Sequence, residues 1–399
     1  MILQDICELI VDCPHVTDND EGFGYPLIRT PNVGKGMLLL ENVHRVSKDI
    51  YDRRNKRAKP QPYDLILARE APAGNVALIR EGQNVCLGQR TVLIRPNKNV
   101  VVPEYLTYYL LAPYNQHRIK ESANGSTVEH VNMPNIRGLE IELPALDIQK
   151  RIASILSNYD TLIDINSKRI KLLEESAREL YKEWFVRMRF PGYEKTKFVK
   201  GIPQGWKYIR IDEYYKTGSG GTPSSSHKEY YDDGYINWVR TGELKDCFIF
   251  QSEIKITEKG LGNSSAKMYP RHSVVLAMYG NSIGQLGVLT QPSSTNQACC
   301  VLQPKTTDYG WEFIYLSLLE YRPYLISFGF GAAQQNISQD EIRKFKILFP
   351  NNNTVQLFTN VVAPIYEEIE TLQLQNQNIA ATRDRLLPRL LSGELEVKA

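Results

Sequence analysis

QKRIASILSNYDTLIDINSKRIKLLEESARELYKEWF, residues 149–185, contains no glycine or proline. Ile152, Ile155, Tyr159, Leu162, Leu173, Leu180 and Trp184 recur along it at steps of three, four and seven, an apolar stripe of near-heptad spacing that calls for a partner helix. At 1.5 Å per residue such a helix reaches roughly 55 Å. A second stretch, QLFTNVVAPIYEEIETLQLQNQNIAATRDRLL at 356–387, repeats the pattern at an offset of 207, Gln149 against Gln356 and Arg178 against Arg385. Its stripe is Phe358, Val362, Ile365, Ile369, Leu372, Ile379, Leu386 and Leu387; Pro364 is expected to bend it and Pro388 to end or kink it. A lone helix with a wet apolar stripe is unstable in water, so the two are expected to pack together, antiparallel if the repeats share a pseudo-twofold axis. Partner-helix packing is assigned to Ile152, Ile155, Tyr159, Leu162, Leu173 and Leu180 against Val362, Ile369 and Leu372. Asn166, Arg169 and Ser176 hold seam-like positions, where they either fix register or turn to solvent.

The repeat extends outward from the helices. Leu65-Ile66-Leu67-Ala68, a turn at Gly74, Gly88-Gln89-Arg90 and Val92-Leu93 are followed in the second half by Val274-Val275-Leu276-Ala277, Gly280, Gly284, Asn296-Gln297-Ala298 and Val301-Leu302. Residues 125–132 match 331–338 at an offset of 206, which Pro144 and Pro350 share. Order, spacing and element type persist together, so the chain reads as two diverged copies of a globular domain followed by a helix. Strands are expected at 64–68, 76–79, 91–94, 236–239, 274–278 and 298–302, and shorter helices at 103–111 and 310–319, making each domain mixed α/β. The expected division is a first domain at 1–146, a first long helix at 147–190, a second domain at 191–350, and a second helix with tail at 351–399.

Composition narrows the function. The 399 residues, 42% hydrophobic and 23% charged, suit ordinary globular domains and exceed one typical core. Asp5 and Glu8 interrupt what a secretory leader would need as its apolar segment, and no apolar run approaches the roughly 18 residues that span a bilayer, so a cytoplasmic protein without membrane contact is expected. Six cysteines without a CxxC pair indicate neither structural zinc nor a disulfide framework. A net charge of +3 excludes a uniform basic coat; the dense basic run is Arg53-Arg54-Asn55-Lys56-Arg57-Ala58-Lys59, open to reading as a solvated face or as phosphate contacts. Gly34-Lys35-Gly36 does not complete a P-loop, Gly218-Ser219-Gly220-Gly221 reads as a turn, and no Pro-Pro dipeptide supplies the base-gripping loop of DNA amino-methylating enzymes. Adjacent Asp232 and Asp233 point to opposite faces of a strand rather than to one Mg²⁺. No catalysis is expected in this chain.

Three segments carry a resemblance: Ile202-Pro203-Gln204-Gly205-Trp206, then Gly220-Gly221-Thr222-Pro223-Ser224 leading to Tyr235-Ile236-Asn237-Trp238-Val239, and the ending Leu387-Pro388-Arg389-Leu390-Leu391-Ser392-Gly393-Glu394-Leu395. Together with the duplicated plan they resemble the specificity (S) subunit of type I restriction-modification systems over essentially the whole chain. The resemblance implies two target recognition domains that each read half of a split double-stranded DNA sequence, joined by helices that dock two modification (M) subunits. Those partners would supply the S-adenosylmethionine chemistry, and motor-nuclease (R) subunits, where present, the ATP- and Mg²⁺-dependent cleavage; the chain itself would hold no cofactor. The first domain departs from the pattern, lacking the Pro-x-Gly-Trp and Gly-Gly-Thr-Pro-Ser signatures. Its Ile28-Arg29-Thr30-Pro31-Asn32-Val33 reads as the counterpart of Trp238-Val239-Arg240-Thr241-Gly242-Glu243, each placing Arg-Thr after a hydrophobic strand.

Base edges are read by side chains with paired donors and acceptors, and phosphates by cations, hydroxyls and amides. Candidate DNA contacts in the first domain are therefore Arg29, Thr30, Asn32, Arg53, Arg54, Lys56, Arg57, Lys59, Arg69, Gln89 and Arg90. In the second they are Thr222, Ser224, Tyr231, Arg240, Thr241, Asn296, Gln297, Gln334, Gln335 and Asn336. Against contact stand helix capping by Thr222-Pro223-Ser224 and burial of Asn296 and Gln297 beside Cys299 and Cys300. Helix length is expected to set the gap between half-sites. The competing readings are a coiled-coil adaptor without base preference, a self-sufficient methyltransferase-nuclease, and a methylation-only system. The sequence names neither the bases read nor the spacer.

Overall fold

The computed structural model describes residues 1–121, 130–306, 309–328 and 336–397. The chain divides into two units: unit 1 is Met1–Asp164 with Gln377–Ala399, and unit 2 is Ile165–Asn376. Each is built on the same sheet. In unit 1 a five-stranded sheet runs Cys7–Asp12, Thr91–Pro96, Leu65–Ala68, Val76–Leu78, Gly36–Met37; in unit 2 the order is Tyr215–Ser219, Cys299–Pro304, Val274–Ala277, Leu286–Leu289, Cys247–Ile249. Neighbours are antiparallel in both except the last pair, which is parallel in both. A smaller sheet also recurs: Tyr25–Ile28 pairs antiparallel with Arg45–Val46 and parallel with Cys86–Leu87, as Ile236–Val239 does with Lys255–Ile256 and Ser293–Thr295. The internal repeat read from the sequence is thus a repeat of topology. Unit 2 adds Met268–Tyr269 to its smaller sheet.

The central strands show why these residues form sheet. All four residues of Leu65–Ala68 are buried, and successive side chains enter different cores, Leu65 and Leu67 on one face, Ile66 and Ala68 on the other. Val274–Ala277 divides in the same way. A strand covered on both faces reads as an unbroken apolar run, and its period of two becomes visible only as alternate cores. The chain enters both strands through a left-handed residue, Tyr63 at φ 72° and His272 at φ 63°. The expected helix at 103–111 forms as Pro103–Leu111; that at 310–319 is longer, Trp311–Phe328, and continues through Pro323.

The long helices form as Leu146–Tyr181, closing in a π turn at Lys182–Val186, and Asn352–Leu391. In unit 2 they run antiparallel: Arg169 Nη2 lies 2.7 Å from Glu368 Oε1, Asn166 Nδ2 donates to Asn376 Oδ1 at 3.0 Å, and the Trp184 and Phe358 rings meet at 5.5 Å. Of the register candidates, Asn166 is therefore in the seam, while Ser176 is exposed and bonds back to the Leu172 carbonyl. In unit 1, Ile152, Leu156, Leu387 and Leu390 share the core with the sheet. Val362, Ile369 and Leu372 are buried, and Leu173 and Leu180 pack against the unit 2 core. Leu162 is a correction: it is 49% exposed, and Ile155 and Tyr159 are only half-buried. The seam instead passes through Leu156, Asp160, Asn166, Ala177 and Tyr181. A second correction concerns Pro388, which neither ends nor interrupts the helix; three more helical residues follow it.

Candidate nucleic-acid interface

In unit 2, Trp238 and Val239 stand in parallel register with Ser294 and Thr295, so both strands end on the same side and release two loops there. The first loop closes at once into a 3₁₀ turn, Thr241–Glu243, with the Arg240 backbone N–H donating to Glu243 Oε1 at 3.3 Å. The half-buried Arg240 guanidinium reaches the exposed Glu253 through Nη2 and lies 3.5 Å from Glu243 Oε1 through Nε. Burial pushes the Glu243 carboxyl above its ordinary value despite that cation. In the second loop, the Asn296 N–H donates to the Val239 carbonyl at 3.0 Å and Asn296 Oδ1 accepts from the Ala298 N–H at 3.2 Å, leaving Gln297 exposed at the tip.

The glycine motif brings a third segment to that tip. A Cβ on Gly220 would fall 1.7 Å from the Thr295 carbonyl oxygen, and one on Gly221 2.1 Å from Ser265 Oγ, so only glycine lets the backbone press this close. The Gly221 N–H donates to the Thr295 carbonyl at 3.0 Å and the Trp238 indole N–H donates to the Gly221 carbonyl at 2.9 Å. The next residue, Thr222, donates its hydroxyl to Gln297 Oε1. Tyr231 donates to the Pro223 carbonyl, and Ser224 bonds Ser226, so neither Thr222 nor Ser224 starts a helix.

Unit 1 builds the same place from a different sequence. Leu27 and Ile28 pair in parallel with Cys86 and Leu87, and the Gly88 N–H donates to the Ile28 carbonyl at 2.7 Å. Arg29 caps a 3₁₀ turn, Thr30–Asn32, donating its N–H to Asn32 Oδ1 at 3.2 Å, and its guanidinium has no hydrogen bond or ion pair among the described residues. Gln89 donates Nε2–H to Thr17 Oγ1 at 2.8 Å. The expected equivalence of the two Arg-Thr segments holds.

Several candidate contacts turn inward and are corrected. Arg54 is 4% exposed: its guanidinium donates to Asp18, to the Leu87 carbonyl at 2.8 Å and to the Val16 carbonyl. Arg69 is 6% exposed, held by the Val131 carbonyl and Asp12, each at 2.8 Å, with His130 Nε2 at 2.7 Å. Thr30 and Asn32 are buried, and Asn32 Nδ2 is taken by the Leu39 carbonyl at 3.3 Å. Desolvating such groups requires internal partners, and Arg54, Arg69 and Asn32 have them. Asn296 is occupied in its turn, but Gln297 is exposed rather than buried beside Cys299 and Cys300.

The remaining candidates stay at the surface. Lys56, Arg57 and Lys59 are exposed; Lys59 stands 6.0 Å from the Tyr51 ring centre, and the Lys56 and Arg57 side chains have no hydrogen bond or ion pair among the described residues. Arg53 is paired with Asp18, and Arg90, at φ 64°, with Glu70 at 2.9 Å. Thr241 is half-buried, and Asn336 is exposed and bridged to Tyr279. Gln334 and Gln335 lie outside the described residues. Sequence reasoning missed Thr17, which carries no motif; the signal was its strand position, five residues beyond Asp12 as Thr222 is three beyond the equivalent Ser219.

Comparison with known proteins agrees with this duplication. A family model described as the type I restriction modification DNA specificity domain matches twice, at residues 1–175 and 203–379. The chain is 28% identical over 343 residues to the type I restriction enzyme MjaIX specificity subunit of Methanocaldococcus jannaschii, covering 84% of this chain and 78% of that protein. It is 24% identical over 378 residues to the HindI specificity subunit of Haemophilus influenzae, covering 78% and 82%. The crystal structure of a type I restriction-modification S subunit from M. genitalium superposes with a TM-score of 0.61 at 14% identity, covering 98% of this chain and 95% of that one. With the family's domain present twice on a matching fold, this chain belongs to the type I restriction-modification DNA specificity subunits.

Proposed function

We propose that each unit reads one half of a bipartite double-stranded DNA target while partner subunits perform the chemistry. Two modification methyltransferase subunits would act with S-adenosylmethionine on a flipped adenine, and a restriction subunit, where the system includes one, would add ATP- and Mg²⁺-dependent cleavage. The chain itself acts in the cytoplasm as a non-catalytic, cofactor-free reader. The observation that carries this reading is the duplicated site: two units of one strand order each end a parallel strand pair in an Arg-Thr turn beside a glutamine loop. The contact set is revised by burial. Arg29, Lys56 and Arg57, without internal partners, suit phosphate contact, whereas Arg54, Arg69, Thr30 and Asn32 support the loops from beneath.

The test is selection of bound sequences from randomised duplexes by the full chain assembled with its methyltransferase partner. Two conserved blocks separated by an unspecified spacer are expected. A single block, or none, overturns the reading and favours an adaptor. Arg240→Ala is expected to weaken selected sequences more than random ones; equal loss on both makes Arg240 a phosphate contact.

A further inference from the structure

The two units differ in sequence where their loops are built and agree in what the loops hold. The Thr17–Gln89 pair of unit 1 and the Thr222–Gln297 pair of unit 2 occupy the same position relative to the parallel strands: Gln89 lies two residues beyond Leu87, the register partner of Ile28, and Gln297 two beyond Thr295, the register partner of Val239. Unit 2 reaches this through the tight Gly220-Gly221 approach and the Trp238 indole. Unit 1 has neither. There Arg54 ties the Val16 and Leu87 carbonyls together from beneath, and Asp18 anchors the next residue to Arg53 and Arg54. Two copies of one fold whose loop supports have diverged still end in the same hydroxyl–amide pair, which singles out that pair as the feature that matters.

We propose that these pairs are one base-reading device present twice, the glutamine facing a base edge and the threonine serving as its positioning residue. The inference rests on the DNA-reading function above and deepens it. Thr17, Thr222 and Gln297 are exposed and Gln89 is half-buried, so the pairs do not stabilise a core. A threonine hydroxyl both donates and accepts; it accepts from the Gln89 amide and donates to that of Gln297. Whichever way the amide is held, at least one N–H and one oxygen lone pair of the glutamine are left over from the pair. Adenine offers the complementary acceptor and donor in the major groove, so an adenine-containing base pair in each half-site is the target class.

The experiment maps adenine methylation across random-sequence DNA with the full chain and its methyltransferase partner. Gln89→Ala is expected to relax discrimination by about tenfold or more at one base pair of one half-site and leave the other half-site unchanged. Gln297→Ala should do the same in the opposite half. Thr17→Val and Thr222→Val should loosen the same base pairs more weakly, with Thr→Ser restoring them, and thermal unfolding should match the parent for all. An unchanged consensus in both Gln→Ala variants overturns the inference, as does activity lost equally on every sequence, which marks a phosphate contact. The absence of any bipartite consensus for the unsubstituted chain overturns the DNA-reading function beneath it, and this inference with it.

Discussion

Replacing Arg383 by methionine should destabilise unit 1 severely, although the residue lies in a long helix far along the chain from the sheet. Asp160 is 4% exposed; one of its oxygens accepts from the Arg383 guanidinium and the other from the Tyr108 hydroxyl at 2.5 Å. Burial, and then the carboxylate itself, hold the Tyr108 phenol well above its ordinary range, so it remains a donor. Without Arg383 the buried carboxylate keeps one neutral partner, and stranding one member of a buried ion pair costs about 3–5 kcal/mol. For a unit of this size each kcal/mol is worth about 2–4 °C, so the melting temperature should fall by roughly 6–20 °C. Replacing all three polar groups, as Tyr108→Phe, Asp160→Leu and Arg383→Met together, removes the stranded charge and should recover most of the loss. Urea and thermal unfolding of the two variants decide the matter. A single variant costing less than about 1 kcal/mol, or a triple variant less stable than the single, refutes the idea that the pair's value lies in mutual compensation.

Burial pushes the Glu312 carboxyl up to about 7 from an ordinary 4.5, and its Oε2 has no hydrogen-bond partner among the described residues. A raised folded-state value makes the protonated acid the favoured form, so its contribution is full below about 4.5 and is lost as pH rises through about 7; unfolding should show a loss of about 2.5 kcal/mol between pH 5 and 8, abolished in Glu312→Gln. Gly221→Ala places a Cβ 2.1 Å from Ser265 Oγ and 2.5 Å from the Ser265 carbonyl carbon; a loss of about 1–3 kcal/mol in unfolding is expected, together with a weakened consensus in one half-site only, by methylation mapping. Removing one heptad from each long helix should shorten the unspecified spacer of the consensus and leave the half-site letters alone, which the same mapping reads directly.

The sequence displayed the strands and the repeat because both are written in apolar runs. Val274-Val275-Leu276-Ala277 has few alternatives to a strand covered on both faces, and the match to Leu65–Ala68 announced a second copy. The helix seam was displaced for the same reason: counting apolar residues followed Leu162, while the seam passes through Asp160 and Asn166, whose burial is compensated by partners more than two hundred residues away. Polar residues at a seam register as solvent-facing until the partner is known. Arg54 and Arg69 misled in the same way, since a cation in a basic run or on a strand end looks like a surface charge until carbonyls and carboxylates close around it.

One domain shows the glycine motif and the other does not because the two hold their loops by different means. A motif is legible when the backbone leaves a single solution, as at Gly220 and Gly221, where any Cβ collides with Thr295 or Ser265. A side-chain clamp has many. Arg54 gathers two carbonyls and a carboxylate from segments the chain brings together only on folding, and no local pattern at Val16, Thr17 or Asp18 reports it. A recognition domain whose loops are held by side chains can change those loops without violating a backbone constraint. One held by packed glycines can change only beyond them, at Thr222 and onward. The two halves of this chain are therefore expected to tolerate substitution at different places around the same pair.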